Sequence, residues 1–184
     1  MTTSGIAPAL RRLYFARFGF AILWALAMFT TATELGPLAV TLLVLYPLVD
    51  VAAAVVDARS SRAAGLYVNI AISLLAAVGV GLAAASGIPA VLRVWGAWAI
   101  LSGLIQLFVG VTRRRLGGQW PMIISGAVSA LVGSTFILQA GQDGAALSGV
   151  AGYAIGGGIL FLISAVRLGS ARRQPANGPE PVKA

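Results

Sequence analysis

The sequence predicts an all-α, polytopic membrane protein, six transmembrane helices arranged as three parallel helical-hairpin repeats. Three observations predict it. The chain is 59% hydrophobic and only 10% charged, with a mean hydropathy of +0.92, whereas a soluble domain carries about 25% charged residues. The stretch 91–115 is mostly apolar and closes on Arg113, Arg114 and Arg115. About twenty such residues at a 1.5 Å rise cross a hydrocarbon core of roughly 30 Å. Finally, the basic residues collect on one side of six such stretches.

The spans follow in order. Residues 1–11 form a short polar cytoplasmic lead. Arg11, Arg12 and Arg17 then precede an apolar run over 18–33. That run is long, and Thr31, Ala32 and Thr33 make a poor small-x-small cleavage site, so an uncleaved first helix is expected over a signal peptide. Glu34, Leu35, Gly36 and Pro37 make a turn. The second span covers 38–56, with a loop from Asp57 to Arg62 after it. The third covers 66–85 and stops at Ser86, Gly87, Ile88 and Pro89. The fourth is the arginine-closed stretch. Trp120 and Pro121 open the fifth span, 121–139, with proline in the first turn. A turn at 140–144 leads to the sixth, 147–166. Residues 171–184, with three prolines, read as a disordered cytoplasmic tail.

Six spans place both termini and the second and fourth loops on one side. Of thirteen basic residues, only Arg93 falls on the other. Both termini are therefore expected in the cytoplasm. Arginine outnumbering lysine, with abundant Ala and Gly, suggests a high-GC bacterial genome. The net charge of +8 does not point to nucleic acid, because the arginines flank apolar segments and form no single basic face. Expected partners are the lipid bilayer, anionic headgroups at the cytoplasmic face and a second copy of the chain in a homo-oligomer.

The chain contains no Cys and no His. Disulfides, thiol nucleophiles, Cys/His zinc sites and His-ligated haem are thereby excluded, and no cofactor is expected. There is no phosphate loop, no Ser/His/Asp set and no pair of carboxylates at catalytic spacing. One buried acid offers little acid–base machinery, so a non-enzymatic protein is expected.

The sequence also aligns with itself at a period of about 54 residues. Leu66 aligns with Trp120 and Gly79 with Gly133. Gly103 aligns with Gly158, Trp98 with Tyr153 and Ile100 with Ile155. In the first copy Arg12 matches Leu66 and Asp50 takes the place of Gly103. The hairpins cover about 12–64, 66–118 and 120–170, within a membrane domain of 12–170. Same-side loops make the repeats parallel, not inverted.

These three hairpins, with glycines at one depth, Trp120-Pro121 followed by GAVSALVG, and arginine-terminated even helices, resemble the HdeD-like family. Its members are bacterial inner-membrane proteins built from a short repeat of unknown function. The resemblance implies a six-helix membrane protein connected with acid resistance or envelope stress. It carries over no catalytic residue.

Glycines recur at seven-residue intervals: Gly96, Gly103 and Gly110, then Gly126 and Gly133, then Gly149 and Gly156. Gly152 and Gly156 also form a GxxxG pair. Such spacing keeps side-chain-free positions toward a neighbouring helix, so all eight are expected at helix-packing contacts. The alternative is a groove left by the missing side chains.

Asp50 is the sharpest residue. It lies about seven residues, roughly 10 Å, inside the cytoplasmic end of its span, just after Pro47. An ionisable group there costs at least about 2.5–3.5 kcal/mol and must face protein or water and a partner. Arg17 lies within about one turn of the same depth and is the expected partner. Counting from the outer turns brings Asn69, Gln106 and Ser125 to a similar level. Two readings fit this cluster: a structural ion pair with interhelical hydrogen bonds, or a polar site for protons, an ion or a small polar solute. Arg93, Glu34 and Asp143 are expected to form an outer-face ion pair. Trp95, Trp98, Trp120, Tyr14 and Tyr67 read as interfacial anchors, and Trp24 as a deeper lipid-facing or packing residue.

The leading expectation is thus a non-enzymatic membrane protein of the HdeD-like type. The alternatives are a small transporter or channel using the Arg17/Asp50 cluster, and a membrane assembly or scaffold subunit.

Overall fold

The computed structural model describes residues 3–31, 34–61, 63–116 and 119–170. The tail 171–184 and Arg62 lie outside the described residues. Six helices follow one another: α1 (Thr3–Phe29), α2 (Pro37–Ser61), α3 (Ala64–Ala83), α4 (Ile88–Thr112), α5 (Trp120–Gln139) and α6 (Ser148–Ser170). Each contains a stretch of 20 to 25 residues long and apolar enough to cross a membrane. Among the described residues there is no strand. The chain is an all-α polytopic membrane protein.

Local chemistry accounts for the turns. Pro89 and Pro121 sit in the first turns of α4 and α5, where a missing N–H costs nothing. Gly87, at φ 90°, and Gly144, at φ 83°, take left-handed conformations at two of the three outer turns, which side chains with a Cβ resist.

Two boundaries differ from expectation. Helix α1 begins well before residue 18 and carries Arg11, Arg12 and Arg17 within it. Helix α2 continues to Ser61, so Asp57 and Arg59 lie in a helix and not in a loop. In both places a charge inside the span is neutralised by a partner across the bundle, so the helix need not stop at the charge.

Each helix packs on its sequence neighbours, and α6 packs on α1 to close a ring. The most extensive interfaces are α4/α5, α6/α1 and α2/α3, while the two helices within each hairpin meet less closely. The tightest, α4/α5, is glycine-lined. A methyl group on Gly96 would lie 2.5 Å from the Gly133 carbonyl oxygen, and one on Gly133 would lie 2.6 Å from the Gly96 oxygen. Gly103 and Gly126 repeat the arrangement, at 2.8 and 2.6 Å. Gly110 approaches Ile123. In lipid, where apolar burial gives no net drive, such backbone proximity gains dispersion contacts instead.

A Cβ on Gly149 would meet the Phe136 ring at 3.3 Å. Gly152 and Gly156 do not pack within the bundle. Both are exposed, and a Cβ on either would meet no atom within 4 Å. The seven-residue period keeps residues on one face, but that face of α6 points outward. The contact of α6 with α1 runs through Gly158, whose Cβ would stand 3.1 Å from that of Ala21.

The interior divides along the membrane normal. Toward the outer turns it is apolar, built from Trp24, Met28, Leu43, Leu92, Trp95, Phe136, Leu147 and their neighbours. Trp95 and Trp98 belong to this interior and are not interfacial anchors. Tyr14 is likewise buried, whereas Trp120 and Tyr67 are exposed near helix ends. Trp24 takes the packing alternative and not the lipid-facing one: it is buried, and its Nε1 donates to the Leu42 carbonyl at 2.7 Å. Toward the arginine-rich end the interior becomes polar.

Candidate functional site: a polar cavity inside the helix ring

Helical periodicity builds the site. On α2, Tyr46, Asp50 and Asp57 fall on one inward stripe; on α4, Trp98, Ser102 and Gln106 do the same, with Arg113 just past the helix end. Helix α1 contributes Tyr14 and Arg17, α3 Asn69, α5 Ser125 and Ser129, and α6 Tyr153 and Phe161. These side chains enclose a cavity of about 80 Å³, which has room for several water molecules.

Asp50 is the node. It is 7% exposed. Arg17 Nη2 donates to its Oδ1 at 2.5 Å. Asn69 Nδ2 donates to Oδ2 at 2.7 Å and the Ser73 hydroxyl donates to the same oxygen at 3.0 Å. Trp98 Nε1 in turn donates to Ser73 Oγ at 2.9 Å. One carboxylate therefore ties together α1, α2, α3 and α4. Such a buried charge is tolerated because its lone pairs are used. The Arg17 guanidinium also stands over the Phe161 ring, 4.2 Å from its centroid, which places α6 in the same assembly.

A second ion pair lies at the arginine-rich end. Arg113 Nη1 contacts both oxygens of Asp57, at 3.0 and 2.7 Å, and both residues are buried. Tyr153 donates its hydroxyl to Ser129 at 3.0 Å. Gln106 Nε2 donates to the Met122 carbonyl at 3.3 Å.

The five residues expected to cluster all line this cavity, but they are not one network. Arg17, Asp50 and Asn69 are bonded together; Gln106 and Ser125 stand on another wall. Sequence reasoning missed Ser73, Trp98, Tyr46, Tyr153 and the Asp57–Arg113 pair. A signal existed for two of these, since Trp98 and Tyr153 occupy matching places in the self-alignment and both face the cavity.

The expected outer ion pair does not form. Arg93, Glu34 and Asp143 are all exposed, and no ion pair joins them among the described residues. Charges in water gain at most about 1 kcal/mol from pairing, too little to fix three mobile side chains. Among the described residues, no three carboxylates converge in a way that could hold a metal ion.

Aromatic rings form the cavity's inner boundary. Tyr46 lies 5.9 Å from Trp98 and 5.7 Å from Trp95, centroid to centroid, and Trp24 stacks on Trp95 at 5.8 Å. This layer separates the polar cavity from the apolar outer half. No protein-family model, curated protein or solved structure matches this chain.

Proposed function

We propose that this chain is a non-enzymatic, multi-pass protein of the bacterial cytoplasmic membrane whose central cavity receives a small polar solute from the cytoplasmic side. The carrying observation is the cavity itself: about 80 Å³, lined by one buried and one partly buried ion pair, inside a closed helix ring. A bundle that needed only to pack would fill that volume with side chains, since interiors are close-packed. The positive-inside distribution supports cytoplasmic termini and a cytoplasm-facing cavity.

The aromatic layer of Tyr46, Trp95 and Trp98 closes the way to the outer face. Its displacement would complete a path, so the protein reads as a small transporter and not as an open pore. Flux from proteoliposomes loaded with a panel of small polar solutes tests this. Retention of every solute, together with no measurable binding, would remove the reading.

The resemblance to the HdeD-like family supports a place in acid or envelope stress. The alternation of close and looser interfaces around the ring supports three hairpin repeats. Acid survival of a strain lacking the protein tests the stress role, and unchanged survival would sink it. A scaffold role has one observation in its favour, the exposed Gly152–Gly156 face of α6. Cysteine cross-linking at position 152 in membranes tests it, and the absence of any cross-linked species would end it.

A further inference from the structure

We propose that the cavity binds a small monocarboxylate through the Arg17 guanidinium and the hydroxyls of Tyr14, Tyr46 and Ser125; this deepens the reading of the cavity as a solute site. The argument is an inventory of what the cavity wall leaves unpaired. The charged acceptors are consumed. Asp50 takes three donors, and both Asp57 oxygens take Arg113. Donors are in surplus. Arg17 gives Asp50 only Nη2, and its side chain remains 21% exposed toward the cavity. A guanidinium carries five N–H groups and accepts nothing.

The three hydroxyls add to this surplus. Tyr14 and Ser125 are 5% and 4% exposed, yet neither hydroxyl finds a hydrogen-bond partner among the described residues, and both residues line the cavity. The Tyr46 hydroxyl has no partner there either. Polar groups in protein interiors are almost always satisfied, so these hydroxyls, each able to donate or accept, call for a polar solute, and the half-free guanidinium selects one that accepts.

Charge and shape narrow the class. The planar guanidinium fork matches a carboxylate, and its remaining partner side, Phe161, already holds it flat. The cavity, about 80 Å³, has room for a short monocarboxylate. The Phe161, Trp98 and Met122 side chains provide an apolar wall for a short hydrocarbon tail. A quaternary ammonium, which aromatic walls often hold, would meet Arg17 and find both carboxylates occupied.

The test uses the purified full chain in nanodiscs at constant ionic strength and pH 7. Acetate, acetamide and tetramethylammonium are titrated while the emission of Trp98 and its neighbours is followed. Acetate is expected to give a saturable change, with acetamide at least about tenfold weaker, as charge-assisted bonds require. Arg17→Lys keeps the charge opposite Asp50 but loses the fork, and is expected to weaken acetate by about tenfold. Tyr46→Phe and Ser125→Ala keep the fold and should each weaken it several-fold. Equal binding of acetate and acetamide, or acetate binding untouched by all three substitutions, overturns the proposal. Binding of tetramethylammonium or acetamide alone would keep the solute cavity and discard the carboxylate. No response to any probe would discard both.

Discussion

Asp57 and Arg113, 56 positions apart in the chain, meet through a single guanidinium nitrogen that contacts both carboxylate oxygens. The pair fastens the end of α2 to the end of α4 and forms one edge of the polar cavity. It also explains why α2 does not stop at Asp57.

Removing one member should cost more than removing both. Asp57→Asn removes the carboxylate that faces the buried Arg113 guanidinium, and breaking such a pair typically costs about 3–5 kcal/mol. The double substitution Asp57→Leu with Arg113→Met is expected to recover most of that loss. Unfolding of each variant in mixed micelles measures it, and a double variant no better than Asp57→Asn would contradict the account.

Asp50 should be the most sensitive single position. Asp50→Leu strands Arg17, Asn69 and Ser73 together, so a loss of several kcal/mol is expected. Trp98→Phe removes only the outermost donor, and about 1 kcal/mol is expected. Equal effects in the same assay would show that the bonds to Asp50 are not cooperative.

The glycines should divide sharply. Gly96→Ala, Gly103→Ala or Gly133→Ala drives a methyl into opposing backbone, and overpacking of that kind costs about 1–3 kcal/mol. Gly152→Ala and Gly156→Ala meet open space and should change monomer stability by less than about 0.5 kcal/mol. Thermal unfolding at a protein concentration that keeps the chain monomeric distinguishes the two groups.

Orientation can be read directly, because the chain has no native cysteine. Gln142→Cys at an outer turn should react with an impermeant maleimide added to intact spheroplasts. Arg115→Cys at the arginine-rich end should react only after lysis. The reverse pattern would invert the topology and turn the cavity toward the periplasm.

Much of the architecture was legible because lipid imposes simple rules. Length, apolarity and arginine placement specify spans regardless of packing, and six helices follow. Arg17, Asp50 and Asn69 were legible because a charge inside an apolar span needs a partner at its own depth. The counting that found them gives height and not direction. Arg93, Glu34 and Asp143 share a level but do not pair, and Gly152 and Gly156 share a face that happens to look outward. Asp57 and Arg113 were missed for a different reason: charges near helix ends read as topology signals, and nothing in the sequence marks one of three consecutive arginines as the buried one. Ser73 and Trp98 escaped because a hydroxyl or an indole in a membrane helix is satisfied by packing far more often than by a carboxylate.

The reciprocal approach of Gly96 to Gly133 and of Gly103 to Gly126 has a mechanical consequence. Two helices whose backbones interlock at two levels, two turns apart, cannot slide or part without losing those contacts together, so α4 and α5 form a keel. The seams α1/α2 and α5/α6 are the less extensively joined ones in the ring. Any motion that admits a solute must therefore hinge at those seams while the keel stays still. Spin labels across α4 and α5 should report one unchanging distance, with and without solute, while a pair across α5 and α6 reports two.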